Sequence, residues 1–298
     1  MNFNQQIRSW LAAILLFGVP ILAHGSVSDA ELQKEYEGKV LTLRQPYPGD
    51  HLHFDAAGKL AGSGSPGAWT VDGQLRVKHI FLKDSVIHIQ GQRLFIFFDQ
   101  ETKQLRELGS LTEVELAKQF SQPDKKKQRS SIKKFEQWLV SAGKTETEVE
   151  CDAQQPVIAD LTRVMNTVFL APEEPLANAV PEFWKGYVTP KQDRGAALHE
   201  QDLIPRVGNG ISIPHATYMP DPEFSDTARH AKHQGTLVLW LIVDQYGVPQ
   251  HVRIAKPLGL GLDENAVKTI RTWKFDPAIK DGVPVAVQIN VEVSFMLY

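Results

Sequence analysis

Between Val283 and Leu297 the sequence alternates without a fault: Val283, Val285, Val287, Ile289, Val291, Val293, Phe295 and Leu297 fall on one parity, and Ala286, Gln288, Asn290, Glu292 and Ser294 on the other. A period of two marks an extended strand whose two faces meet different surroundings. The pattern predicts one long strand with a single buried face. Burying these side chains contributes roughly 12 to 24 kcal/mol before the entropy of ordering the chain is subtracted. A face of that size needs a cover, and the residues before it have the patterns to supply one.

Asp263 is placed to cap a helix in which Ala266, Val267, Ile270 and Trp273 form an apolar stripe, Lys268 and Arg271 point outward, and Asp276-Pro277 ends the run. Ser225 to Lys232 reads as an earlier helix with Ala228 and Ala231 as small contact residues. Between the helices, Thr236 to Val243 is apolar on both faces and predicts a central strand. Val248 to Ile254 alternates, and Asp244 to Gly247 supplies the hairpin turn between the two strands. The expected order is helix, strand, strand, helix, strand: two helices packed on a three-stranded antiparallel sheet over residues 214–298.

The segments Pro222-Glu223-Phe224-Ser225, Ala228-Arg229, Gln234-Gly235-Thr236, Asp244 to Gly247, Gly259 to Ala266, Trp273-Lys274-Phe275-x-Pro277-Ala278 and Asp281-Gly282-x-Pro284-Val285 follow one another in the order found in TonB-family proteins. Residues 214–298 thus resemble the TonB C-terminal domain. The resemblance implies that this domain grips a short peptide of an outer-membrane receptor by adding it as a strand to an exposed sheet edge. The edge it points to here carries Val285, Val287, Ile289, Val291, Val293 and Phe295. A terminal strand with unpaired N–H and C=O groups is a template for such pairing, and self-association could use the same border.

The rest of the chain is organised differently. Arg8 precedes the apolar run Trp10 to Ala23, which closes on Ala23-His24-Gly25, so residues 1–25 read as a signal peptide cleaved after Gly25. As a helix the run would reach only about 21 Å against a bilayer core of roughly 30 Å. The expected location is therefore the periplasm, with an uncleaved inner-membrane anchor facing the periplasm as the alternative. Membrane contact is expected only if that segment is retained. Residues 30–110 read as a β-rich domain of short strands and turns, Trp69 to Val71 among the strands. Residues 111–170 read as a helical extension, with helices at Thr112 to Phe120, Ser131 to Ala142 and Ile158 to Phe169 and a possible strand at Thr145 to Cys151. Residues 171–213 form a Pro-rich connector with a local anchor at Phe183-Trp184. The fold class is α+β.

Several chemistries are excluded or weakened. Thirty-two Lys plus Arg against 35 Asp plus Glu give a net charge of −3, which argues against nucleic acid as a partner. A lone cysteine, Cys151, rules out an internal disulfide, a Cys-rich zinc site and a CxxC redox pair. Gly62 to Gly67 fits GxGxxG as a string, yet Trp69 to Val71 reads as a strand where a phosphate cradle needs a helix. Among the histidines, a two-residue loop at Lys83-Asp84 would set His79 across from His88, and His51 and His53 share one strand face. Four imidazoles could then converge on a transition metal. That loop lacks Gly or Asn and no carboxylate is clearly placed with them, so the simpler expectation is solvent-facing histidines and no cofactor.

The expected function is that of a non-enzymatic envelope protein that binds a protein partner by β-strand addition. A TonB-type energy transducer with a retained anchor, and a metal-binding or hydrolytic β-domain carrying a TonB-like docking module, are the alternatives. The Pro-rich, alternately charged spacer of the family's transducers is missing, which favours partner binding over force transmission.

Overall fold

The computed structural model describes residues 27–112, 115, 124–142, 146–155, 157–189 and 203–297. The expected signal segment, and all of the expected Thr112 to Phe120 helix except Thr112 and Glu115, lie outside the described residues. The protein is α+β, and the chain divides into two units: Met1–Glu113 with Glu136–Pro172, and Val114–Phe135 with Glu173–Tyr298.

The first unit begins with α1 (Asp29–Tyr36), started by a capping box in which the Ser28 hydroxyl accepts from the Glu31 amide and the Glu31 carboxylate accepts from the Ser28 amide at 2.9 Å. There follow β1 (Val40–Thr42), β2 (His51–Phe54), the one-turn α2 (Trp69–Asp72), β3 (Gln74–Lys83), β4 (Val86–Arg93) and the hairpin β5 (Ile96–Asp99) with β6 (Gln104–Glu107). Then come α3 (Lys125–Ala142), of which only the part from Glu136 on belongs to this unit, β7 (Glu146–Asp152) and α4 (Ile158–Val168). Five strands make one sheet in the order β1-β3-β4-β7-β2, antiparallel throughout except that β2 runs parallel to β7. One face holds the core: Leu52, Phe54, Ile80, Ile87, Ile89, Val149 and Cys151 are buried with Leu161, Val164, Met165 and Val168 of α4. Because side chains alternate along a strand, the residues between these core positions emerge together on the opposite face.

Two expectations for this unit are corrected. Trp69 to Val71 is helical rather than extended. The Asp72 carboxylate accepts from the Ala68 amide at 3.1 Å and the Gly73 amide donates to the Trp69 carbonyl at 3.0 Å, so local capping overrides the β-propensity of Trp, Thr and Val. The β3–β4 loop is Asp84-Ser85 rather than Lys83-Asp84, and both residues take positive φ (51° and 62°), as a type I′ turn requires. That turn sets the register in which His88 faces Phe81 and His79 faces Gln90, and Lys78, beyond His79, is an extra residue at a bulge.

The second unit contains α5 (Glu182–Val188), with Trp184 fully buried, then β8 (His215–Tyr218), α6 (Asp226–His230), β9 (Gly235–Val243), β10 (Pro249–Lys256) and α7 (Leu262–Ile270). It ends with β11 (Lys274–Asp276), β12 (Ala278–Lys280), β13 (Val283–Val285) and β14 (Val287–Phe295). β9 is the central strand of a three-stranded antiparallel sheet in the order β10-β9-β14. Its inward residues Leu237, Leu239, Leu241 and Val243 are buried, as are Leu262, Ala266, Val267 and Ile270 of α7 and Ala228 of α6.

Here too the sequence reading needs correction. The alternating run is two strands: Asp281-Gly282, both at positive φ, folds Val283–Val285 back onto β12, and the long strand begins only at Val287. Val283 is 60% exposed. Asp263 is not the helix cap. Gly261 takes the N-cap position, and the Asp263 carboxylate lies buried inside the first turn, accepting from the amides of Leu258 and Gly259. Trp273 lies beyond the helix, and its indole N–H donates to the Pro220 carbonyl at 3.0 Å.

Candidate functional site

The outer flank of β14 follows from its register. Val287 pairs with Val243 and the ladder runs unbroken to Phe295 with Gly235. The Gln288 amide donates to the Pro205 carbonyl at 2.8 Å, away from β9, and Arg206 bridges Gln288 in parallel. In an antiparallel ladder, successive residues turn their N–H and C=O groups to alternate sides. The odd-numbered residues Val287, Ile289, Val291, Val293 and Phe295 therefore spend their backbone groups on β9, and Gln288, Asn290, Glu292 and Ser294 turn theirs outward. Among the described residues, Asn290, Glu292 and Ser294 have no backbone partner on that side. The open border from Asn290 to Ser294 is about 17 Å long at the usual rise per residue.

Of the edge residues named from the sequence, Val287, Ile289, Val291, Val293 and Phe295 all lie on β14, with Val287, Val293 and Phe295 buried and Ile289 and Val291 half-buried. Val285 lies on β13 and pairs with Ala278. The Phe295 ring stands edge-on to Phe224 at 5.6 Å, which fixes the far end of the strand. The Leu297 amide donates to the Gln234 side chain at 3.1 Å.

A second group of ionisable side chains gathers on the coreless face of the first unit's sheet. Parallel pairing sets His51 beside Glu148 and His53 beside Glu150, and antiparallel pairing sets His88 beside Glu150. His88 Nδ1 stands 3.4 Å from Glu148 Oε1 and 3.2 Å from Glu150 Oε1. His51 Nε2 and His53 Nδ1 are 3.3 and 3.2 Å from Glu150 Oε2, and His53 Nε2 is 2.9 Å from Asp152 Oδ1. His79 does not join them. It lines a separate cleft with Asp29, Gln33 and Phe81. His230 and His233 are used in local structure, with ring nitrogens against the carbonyls of Asp226 (2.8 Å) and Leu258 (3.0 Å), and burial pushes the His233 pKa down.

The carboxylates are what reading the sequence missed. Glu148, Glu150 and Asp152 share one parity, which was visible, but nothing local tells β7 to insert between β4 and β2.

With the fold in view, the C-terminal unit can be set beside known proteins. Residues 220–297 match the family described as Gram-negative bacterial TonB protein C-terminal. This is the TonB-like domain that the spaced motifs implied. The TonB protein of Vibrio cholerae serotype O1 is 34% identical over 77 residues, which are 26% of this chain and 32% of that protein. The match therefore spans about a third of the relative's length. The solution NMR structure of the Pseudomonas aeruginosa TonB C-terminal domain aligns over 30% of this chain and 90% of its own, at 17% identity and a TM-score of 0.25.

Proposed function

We propose that this is a periplasm-facing envelope protein, not an enzyme, whose TonB-like domain binds an extended segment of a protein partner by adding it as a strand along β14. The family resemblance makes an outer-membrane receptor the partner of first choice. The reading is carried by one observation: the backbone of Asn290, Glu292 and Ser294 faces outward without a backbone partner among the described residues. An added strand gains main-chain hydrogen bonds there, while the side chains along the strand give selectivity.

A photo-crosslinking residue at Asn290 of the full chain, in cells, tests this. The wild-type background should give a crosslink to an outer-membrane protein. Glu292→Pro should reduce it about tenfold, because proline removes an outward donor without touching the β9 ladder. Proline at Ile289 would be uninformative, since that amide belongs to the pairing with Leu241. An equal yield from the proline variant would move binding to another surface.

A further inference from the structure

We propose that the polar face of β2, β7 and β4 binds one divalent transition-metal ion, held by His88, Glu148 and Glu150. This departs from the expectation of no cofactor and is independent of what the TonB-like domain binds.

Donor spacing is the first argument. One ligand atom each from His88, Glu148 and Glu150 lies within 4.8 Å of the others. His88 Nδ1 stands 3.2 Å from Glu150 Oε1 and 3.4 Å from Glu148 Oε1, while His51 Nε2 lies 3.3 Å from the other Glu150 oxygen. With metal–ligand bonds of about 2.0–2.1 Å, donors at the corners of a tetrahedron sit about 3.3–3.4 Å apart. A charge-assisted hydrogen bond is typically shorter, about 2.7–2.9 Å. His53 to Asp152, at 2.9 Å, is such a bond. His53 and Asp152 are thus an ordinary imidazole–carboxylate pair, while His88 with Glu148 and Glu150 is spaced as ligands are.

Charge is the second argument. Glu148, Glu150 and Asp152 stand close together, and among the described residues their ion-pair neighbours are all imidazoles, with no Lys or Arg within 4.0 Å. None of these neighbours carries the permanent positive charge of a Lys or Arg, and a divalent cation supplies one to the half-buried carboxylates while using the nitrogen lone pairs.

The third argument is that the donors are held in place. The His88 ring stacks on Phe81 with centroids 4.8 Å apart and planes 6° from parallel. His53, fixed by Asp152, braces Glu150 from the other side at 3.2 Å. Such outer contacts orient ligands and tune affinity. Asp50, His51, Gln90 and Glu148 line a surface cleft that gives an ion access. Mixed nitrogen and oxygen donors suit zinc, copper or nickel, whereas calcium and magnesium ask for oxygen shells. Cys151 contributes nothing, because it points into the core on the opposite face.

Calorimetric titration of Zn²⁺ into the untagged, chelator-stripped full chain tests the proposal, with Co²⁺ absorption reporting coordination. The expected result is one ion per chain, a low-micromolar or tighter Kd, and the visible spectrum of four-coordinate Co²⁺. Glu150→Gln, which keeps side-chain size, and His88→Ala should each weaken binding about tenfold or more, and His79→Ala should leave it unchanged. Zinc should raise the Tm of the wild-type chain and of His79→Ala but not of Glu150→Gln, whose own melting transition reports that it is folded. Absence of binding at tens of micromolar, or binding equal to wild type in Glu150→Gln and His88→Ala, overturns the site.

Discussion

The amide of Gln288 donates to the carbonyl of Pro205 at 2.8 Å on the flank of β14 turned away from β9. One outward position of the border is therefore closed by the chain itself, and Asn290, Glu292 and Ser294 are left. Amide hydrogen exchange reads this residue by residue. The amides of Asn290, Glu292 and Ser294 should exchange about a hundredfold faster than those of Ile289 and Val291, with Gln288 among the slow set. Uniform protection along the strand would mean that the border is covered.

Gly247 ends the Asp244 to Gly247 turn at φ 77°, and a Cβ built there would lie 1.7 Å from the Phe275 carbonyl oxygen. That contact is backbone, so it cannot be relieved by a rotamer change. Gly247→Ala should lower stability by about 3 kcal/mol or more in denaturant titration. Gly282, at φ 81° with open space around its Cβ position, isolates the dihedral cost alone. Gly282→Ala should cost about 1–2 kcal/mol, and equal losses at the two sites would contradict the steric account.

Burial, reinforced by Asp152 and Glu150, pushes the Cys151 thiol up to about 12. Since the thiolate is the nucleophile, the folded protein should react with a thiol reagent at pH 8 about a thousandfold more slowly than the guanidinium-unfolded chain. Comparable rates would place the thiol outside the core.

Burial first, and the neighbouring Glu264 carboxylate second, raise the Asp263 carboxyl well above the usual range, although the amides of Leu258 and Gly259 oppose the shift. The folded state then binds this proton more tightly than the unfolded chain does. Stability contributed by the protonated form is complete below the unfolded value of about 3.9 and is lost as pH rises through the higher folded value. Denaturant midpoints measured upward from pH 4 should fall across that window. Asp263→Asn should flatten the slope, and an unchanged slope would assign the pH dependence to another group.

Much of the TonB-like domain was legible because its signals are local. The Val287 to Phe295 alternation, the apolar run of β9 and the Ala266, Val267 and Ile270 stripe each declare an element within a few residues. Less legible were places where a tertiary partner decides. Asp263 has the look of a cap but is drawn inward by two amides of the preceding loop, and Asp281-Gly282 turns the chain inside what reads as one strand. In the first unit the β3–β4 turn sits one residue later than its sequence suggests, which moves the pairing by two and puts Phe81 rather than His79 opposite His88. The donor cluster was hidden for a plainer reason: its carboxylates reach the imidazoles only through strand order, which periodicity does not encode.

The parallel pairing of β2 with β7 joins segments far apart along the polypeptide, His53 and Asp152 being separated by 99 positions. As the chain is synthesised, its early imidazoles therefore emerge long before the acidic residues that face them. An ion met in that interval finds a sparse, unformed set of donors. Ion binding at this face is thus a late event, a readout of completed folding rather than a template for it.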